Sequence, residues 1–243
     1  PDDGAPAHSA LAQLGVIAAH RYRAGSAVEQ LEHSITMLER ALNTMPETAP
    51  QRATVALHLA SSLHALHQLL GRRRPYRWAR KVLTDAAEQP TAPADQRLRA
   101  ARSAGRIAAE AHRWSEALES FGTAVELLPL ITRGKRIVAT PKAQRQWSML
   151  AADAAACALE CGKAELAVEL LEHGRTALLS DFLPNGGELG KLHRAQPELT
   201  DRSIRLRRLL DRPAEEPLLA DLDATEVEER RHRASAWEAL LHE

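Results

Sequence analysis

Arg99, Arg102 and Arg106 are spaced by three and four residues, so in a helix their guanidinium groups share one face. Guanidinium forks take carboxylates and phosphates through paired hydrogen bonds, so the chemistry this stripe offers is recognition of an anion. The competing role is that of a solvated face answered by Asp95, Glu110 or Glu116. His64 and His67 share another helical face, with His58 nearby. Two histidines three residues apart are half of a metal site, and no acidic or third ligand stands at a spacing that would complete it. Cys157 and Cys161 lie one turn apart in an alanine-rich stretch. Zinc would need two further ligands, and neither thiol stands near a turn or helix N-terminus that would favour a thiolate nucleophile. Small buried thiols, reduced in the cytosol, are the expectation. Arg72, Arg73 and Arg74 with Tyr76 and Trp78 hold the ingredients of a nucleic-acid grip, cations beside stacking rings. One short basic cluster on a neutral chain reads instead as a solvated turn. No glycine-rich phosphate loop is present, and no residues form a catalytic set. The expectation is a chain without catalytic site, metal or cofactor.

Something must hold these side chains in place, and composition limits what that is. Hydrophobic residues make up 44% of the 243 positions but aromatic ones only 3%, which favours close helix–helix packing over a bulky core or a β-sandwich. Lys+Arg and Asp+Glu are both 32, so no net charge draws the chain to nucleic acid or an acidic membrane. No apolar run approaches ~20 residues and no charged-then-apolar leader is present, so neither a membrane span nor a signal peptide is expected, and a cytoplasmic location is. A chain that starts at Pro1 without methionine reads as a piece of a longer protein.

The apolar spacing predicts helices in pairs. After a linker at 1–7, a helix over 9–24 with Leu11, Leu14, Gly15 and Ala18 on one side is stopped by Gly25. Ser26 is placed to cap a second helix carrying Val28, Leu31, Ile35, Leu38 and Leu42, closed by Met45–Pro46. A second pair starts near Gln51 with Leu57, Leu59, Leu63, Leu66 and Leu70, stops at Gly71, and continues after a basic turn, RRRPYR, as a helix over 78–87. The third pair runs from Leu98 to Pro129 around a turn at 112–114. Small residues Ala101, Ala104, Gly105 and Ala108 lie on its first helix, and Ala117, Phe121 and Ala124 on its second. A loop at 131–142 leads to a fourth pair, with Trp147, Leu150 and Ala151 before the Gly162 turn and Ala164, Val168 and Leu171 after it. Beyond Pro184 the reading is two short helices split at Pro197, a loop at 212–223, and a charged helix started by a Thr225/Glu228 capping box.

The central pair resembles the tetratricopeptide repeat (TPR), whose helix–turn–helix signature has this succession of small residues, an aromatic, an alanine and a closing proline. Ala101 and Ala104 stand where that signature has tryptophan and leucine. Gly25, Gly71, the central turn and Gly162 recur at intervals near forty to fifty residues, as a repeat with uneven loops would give. The resemblance implies an all-α, TPR-like superhelix of about four helical hairpins over 1–183, stacked right-handedly, with a charged helical extension over 184–243. It also implies that Arg99, Arg102 and Arg106 face a concave groove, where related domains hold acidic peptide ends.

A second resemblance concerns DAAACALECGKAELAVELLEHGRTALLSDFL, followed by LHRAQPELTDRSIRLRRLLD and a terminal AWEALLHE. These segments are similar to the region just ahead of the caspase-like peptidase domain in bacterial CHAT-family proteins, actinobacterial members especially. In that family the catalytic histidine and cysteine belong to the peptidase domain, so the resemblance gives no residue here a catalytic role. It implies a protein-interaction array that binds a protein or peptide partner and regulates an attached downstream peptidase. The alternative is the TPR sensor arm of a bacterial transcriptional regulator. Neither nucleic acid nor a membrane is expected as a partner.

Overall fold

In a computed structural model of the chain, the residues described are 5–25, 27–132, 141–179 and 196–210, with 229, 232–236 and 239 beyond them. Among these residues there is no strand. The helices are α1 (Ala5–Arg23), α2 (Val28–Thr44), α3 (Arg52–Leu70), α4 (Arg73–Glu88), α5 (Ala94–Glu110), α6 (Trp114–Thr132), α7 (Pro141–Glu160) and α8 (Ala164–Leu179), followed by α9 (Pro197–Leu210). The first eight form four hairpins, α1–α2, α3–α4, α5–α6 and α7–α8. Each hairpin packs on the next through α2 on α3, α4 on α5 and α6 on α7. The first helices α3 and α5 also touch one another, as do α6 and α8. This is an all-α, TPR-like superhelical stack.

Alanine sets the spacing. Ala53, Ala79, Ala100, Ala117, Ala124 and Ala154 are fully buried, and Leu38, Leu83, Leu98, Leu128 and Leu150 fill the layers between them. Each buried leucine stabilises the stack by roughly 1.5–3 kcal/mol, and small partners let the backbones approach closely enough for that burial to be complete.

Two local devices repeat along the stack. Arg52 on α3 donates from Nη1 to the Leu42 carbonyl at 2.6 Å and to that of Met45 at 2.9 Å. Arg97 on α5 donates from Nε to the Ala87 carbonyl at 2.8 Å. In each case an arginine at the start of one hairpin satisfies end carbonyls of the helix before it, which have no partner within their own helix. The turns of the third and fourth hairpins share one hydrogen-bond pattern, Arg113 N to Ala108 O with His112 N to Ala109 O, and Lys163 N to Ala158 O with Gly162 N to Leu159 O. That is a Schellman closure, which needs a left-handed residue at its centre. Gly162 supplies it at φ 71°, and His112 adopts it at φ 54° despite its side chain.

Several expected details differ. α1 starts at Ala5, inside the expected linker, and buries Ala12, Gly15, Ala18 and Ala19, while Leu14 is half exposed. The residue in the cap position of α2 is Ala27, without a side-chain bond, and Ser26 lies outside the described residues. The turn before α4 is only Gly71–Arg72, and the rest of RRRPYR is helical. Pro75 fits there because the first turn of a helix leaves its N–H groups unused. Pro129 does not close α6, which continues to Thr132 with Ile131 buried. α7 begins at Pro141, six residues before Trp147, whose side chain lies outside the described residues. On α8 the residues packed inward are Ala167, Leu170 and Gly174, whereas Ala164, Val168 and Leu171 face outward. The expected helix before Pro197, most of the loop at 131–142 and the Thr225/Glu228 start fall outside the described residues.

Candidate functional site: a cationic groove across three hairpins

The arginine stripe lies where α1, α3 and α5 meet. A groove of about 610 Å³ is lined by Arg23 at the end of α1, by Thr54, Leu57, His58 and Ser61 on α3, and by Gln96, Arg99, Arg102, Ser103 and Arg106 on α5. The α3 set steps by three, one and three residues, one face of a helix, and the α5 set does likewise. Leu57 packs on the core and gives the groove part of its apolar floor. The structure therefore brings Arg99, Arg102 and Arg106 into one groove and adds two groups that sequence spacing had not joined to them, Arg23 and His58. Arg23 could not be placed there from the chain, because its position depends on how α1 packs beside α3.

Among the described residues no carboxylate lines this groove. Arg106 approaches Glu110 at 3.7 Å along its own helix, with its side chain 67% exposed. Glu110 is more closely engaged by His64, whose Nε2 lies 2.8 Å from its Oε2. Arg102 lies close enough to Asp153 on α7 to favour that carboxylate, although burial is the larger effect and pushes the Asp153 carboxyl upward. Among the described residues the Arg99 side chain has neither a hydrogen bond nor an ion pair. Glu116, a candidate counter-ion for the stripe, turns to Arg80 and Tyr76 instead. The stripe is thus only partly answered by acidic neighbours.

His58 reports the same electrostatics. Burial, then the charges of Arg23 and His20, hold its imidazole below the ordinary value of 6.5. A neutral ring is what burial and the repulsion of neighbouring positive charges favour. Paired guanidiniums around a partly apolar floor suit a ligand carrying carboxylates on a short extended segment, with Thr54, Ser61 and Ser103 offering hydroxyls beside them.

The other sequence candidates fall elsewhere. His64 and His67 do share a face, their ring centroids 6.5 Å apart. Glu110 reaches His64 from α5, a partner that the spacing on α3 alone could not reveal. Among the described residues no three histidine, cysteine or acidic side chains gather as a metal site would require. Cys157 is buried on α7, whereas Cys161, expected away from any turn, stands half-buried in the turn that follows Glu160; both are free thiols. Burial pushes the Cys157 thiol up, and Asp153 and Cys161 add to that, which is the reverse of what an activated nucleophile needs. Tyr76 and Trp78 form no common stacking platform. Tyr76 is buried and donates to Glu116 Oε2 at 2.8 Å, and Trp78 lines a different cavity beside Leu42 and Val82. Positions two apart on a helix point to nearly opposite sides, which separates the rings.

The described residues define a helical-repeat array whose first helices share an arginine-lined groove. No helix among them is long and apolar enough to cross a membrane. No protein-family model matches the chain, and no curated protein matches it.

Proposed function

We propose that this chain is a non-catalytic protein-interaction array whose groove over α1, α3 and α5 binds an acidic segment of a partner protein. One observation carries the reading: among the described residues, four arginines and a histidine line the groove and no carboxylate does. An acidic side chain entering it would meet guanidinium forks held on stacked helices, so little ordering is required on the protein side. The regulatory part of the proposal, control of an attached caspase-like peptidase, rests on the similarity of 153–183 and its following segments to the region ahead of CHAT peptidase domains. For such control the ligand must bind two arrangements of the array unequally, since equal binding shifts nothing.

The test is fluorescence anisotropy with a labelled Asp/Glu-rich peptide, against a Lys/Arg-rich peptide of equal length. Arg102→Glu with Arg106→Glu is expected to weaken acidic-peptide binding by about tenfold or more, with helicity and melting temperature nearly unchanged. Unaltered binding by the double variant rejects the groove as the site.

A further inference from the structure

A second cationic cavity, separate in every lining residue from the groove, lies between α4 and the turn that joins α5 to α6. It measures about 910 Å³ and takes Arg73, Arg77, Arg80 and Lys81 from α4 and Arg113 from the turn. Only Asp85 and Glu116 oppose them among its lining residues. Both acids are already engaged. Lys81 Nζ pairs with Asp85 at 3.1 Å, and Arg80 and Tyr76 both donate to the same Glu116 oxygen. Arg73, Arg77 and Arg113 are left without an anionic partner among the described residues. Arg73 and Arg77 are one turn apart on α4, and the backbone of Arg113 is held by the Schellman closure of the next hairpin.

The wall behind these three is built. The Tyr76–Glu116–Arg80 network ties α4 to α6, and the Tyr76 ring packs against His67 with centroids 5.5 Å apart. Unanswered guanidiniums of one sign around a concave, braced cavity form a receptor for a compact anion of high charge. Nucleic acid is a poorer fit, because Tyr76 is buried with its hydroxyl committed and Trp78 stands on the other flank of α4. A compact ligand needs neither ring. Tetrahedral phosphate groups present oxygens in several directions, which matches forks arriving from two separate elements.

We propose that this cavity binds a polyphosphate group, either free or as the phosphate chain of a nucleotide. The experiment is isothermal titration of the whole 243-residue chain at low ionic strength, without metal, using sodium tripolyphosphate, ATP, adenosine and citrate as separate probes. Saturable binding of tripolyphosphate and ATP is expected, with adenosine silent and citrate far weaker. Equal affinity for the two phosphates assigns the site to phosphate alone, and tighter ATP binding assigns it to a nucleotide. Arg73→Glu with Arg77→Glu is expected to lose about tenfold or more in affinity without a change in melting temperature, since both side chains are exposed. Arg113→Glu is expected to do the same from the neighbouring hairpin, and Arg102→Glu with Arg106→Glu to leave the phosphates' affinity intact. The proposal is overturned by an absence of saturable phosphate binding, by citrate binding as well as tripolyphosphate, or by loss of binding in the groove variant instead of the cavity variants.

Discussion

Gly105 on α5 faces the ring of Phe121 on α6 so closely that a methyl group at 105 would lie 2.8 Å from the ring carbons. This close approach packs α5, the helix that carries the arginine stripe, against α6. Phe121 is itself buried and has nowhere free to move. Gly105→Ala is expected to cost about 1–3 kcal/mol through overpacking, and Phe121→Ala about 3–5 kcal/mol through the cavity left behind. Combining Gly105→Ala with Phe121→Leu is expected to cost less than the two changes summed, because the smaller side chain vacates the space the methyl needs. Urea denaturation of these variants, with Phe121→Leu alone to complete the cycle, checks this.

Ser34 on α2 and Ser62 on α3 share a buried hydrogen bond of 2.9 Å between hairpins one and two. Ser34→Ala strands the Ser62 hydroxyl and is expected to cost about 1–3 kcal/mol. The double change to alanine leaves no orphan and improves helix propensity at both positions, so it is expected to be milder than Ser34→Ala alone. Thermal melts of the single and double variants decide this, and a double variant worse than the single one contradicts it.

Tyr76 donates to a carboxylate that also holds Arg80, and burial, followed by that bond to Glu116, pushes the phenol up to about 12. Tyr76→Phe removes a hydrogen bond to a charged acceptor and is expected to cost about 1.5–3 kcal/mol. Glu116→Gln in the Tyr76→Phe background is expected to cost less than in the wild type if the three groups act as one network. Denaturant titration of the cycle measures it.

The pH dependence follows from His58 and His64, both held below 6.5, chiefly by burial. In the unfolded chain these rings take a proton as pH falls through 6.5, whereas in the folded chain they resist it. Their share of stability is therefore complete above 6.5 and is lost as pH falls from there through the folded values. His58→Gln and His64→Gln are each expected to flatten the fall in melting temperature below that point. An acidic ligand in the groove favours the charged form of His58, so its binding is expected to tighten as pH drops below 6.5 and to lose that dependence in His58→Gln. Melting curves and binding isotherms across the range test both.

Much of the array was legible in the chain because its punctuation is local. Gly25, Gly71 and Gly162 each adopt positive φ, and Pro46 and Pro90 follow helix ends, so the hairpins fall where those residues place them. The inward face of an alanine-rich helix is harder to read. On α8 one stripe is Ala164, Val168 and Leu171, and another, on a neighbouring face, is Ala167, Leu170 and Gly174. Periodicity does not choose between them, and the packing of Gly174 against Ala151 does. Pro129 is harder to read for a related reason, since the buried Leu127, Leu128 and Ile131 around it keep α6 helical to Thr132 despite the lost hydrogen bond. For the site, the three arginines of α5 were visible because they share a helix. Arg23, His58, the bond from His64 to Glu110 and the meeting of Arg113 with α4 depend on contacts between helices, which spacing along one helix does not encode.

The most direct measurement is side-chain NMR of the arginine Nε–Hε groups, assigned by substitution, during titration with the Asp/Glu-rich peptide. The account predicts that the signals of Arg23, Arg99, Arg102 and Arg106 shift together and saturate, while those of Arg73, Arg77 and Arg113 stay in place. Shifts confined to the α4 side, or spread evenly over all exposed arginines, would contradict it.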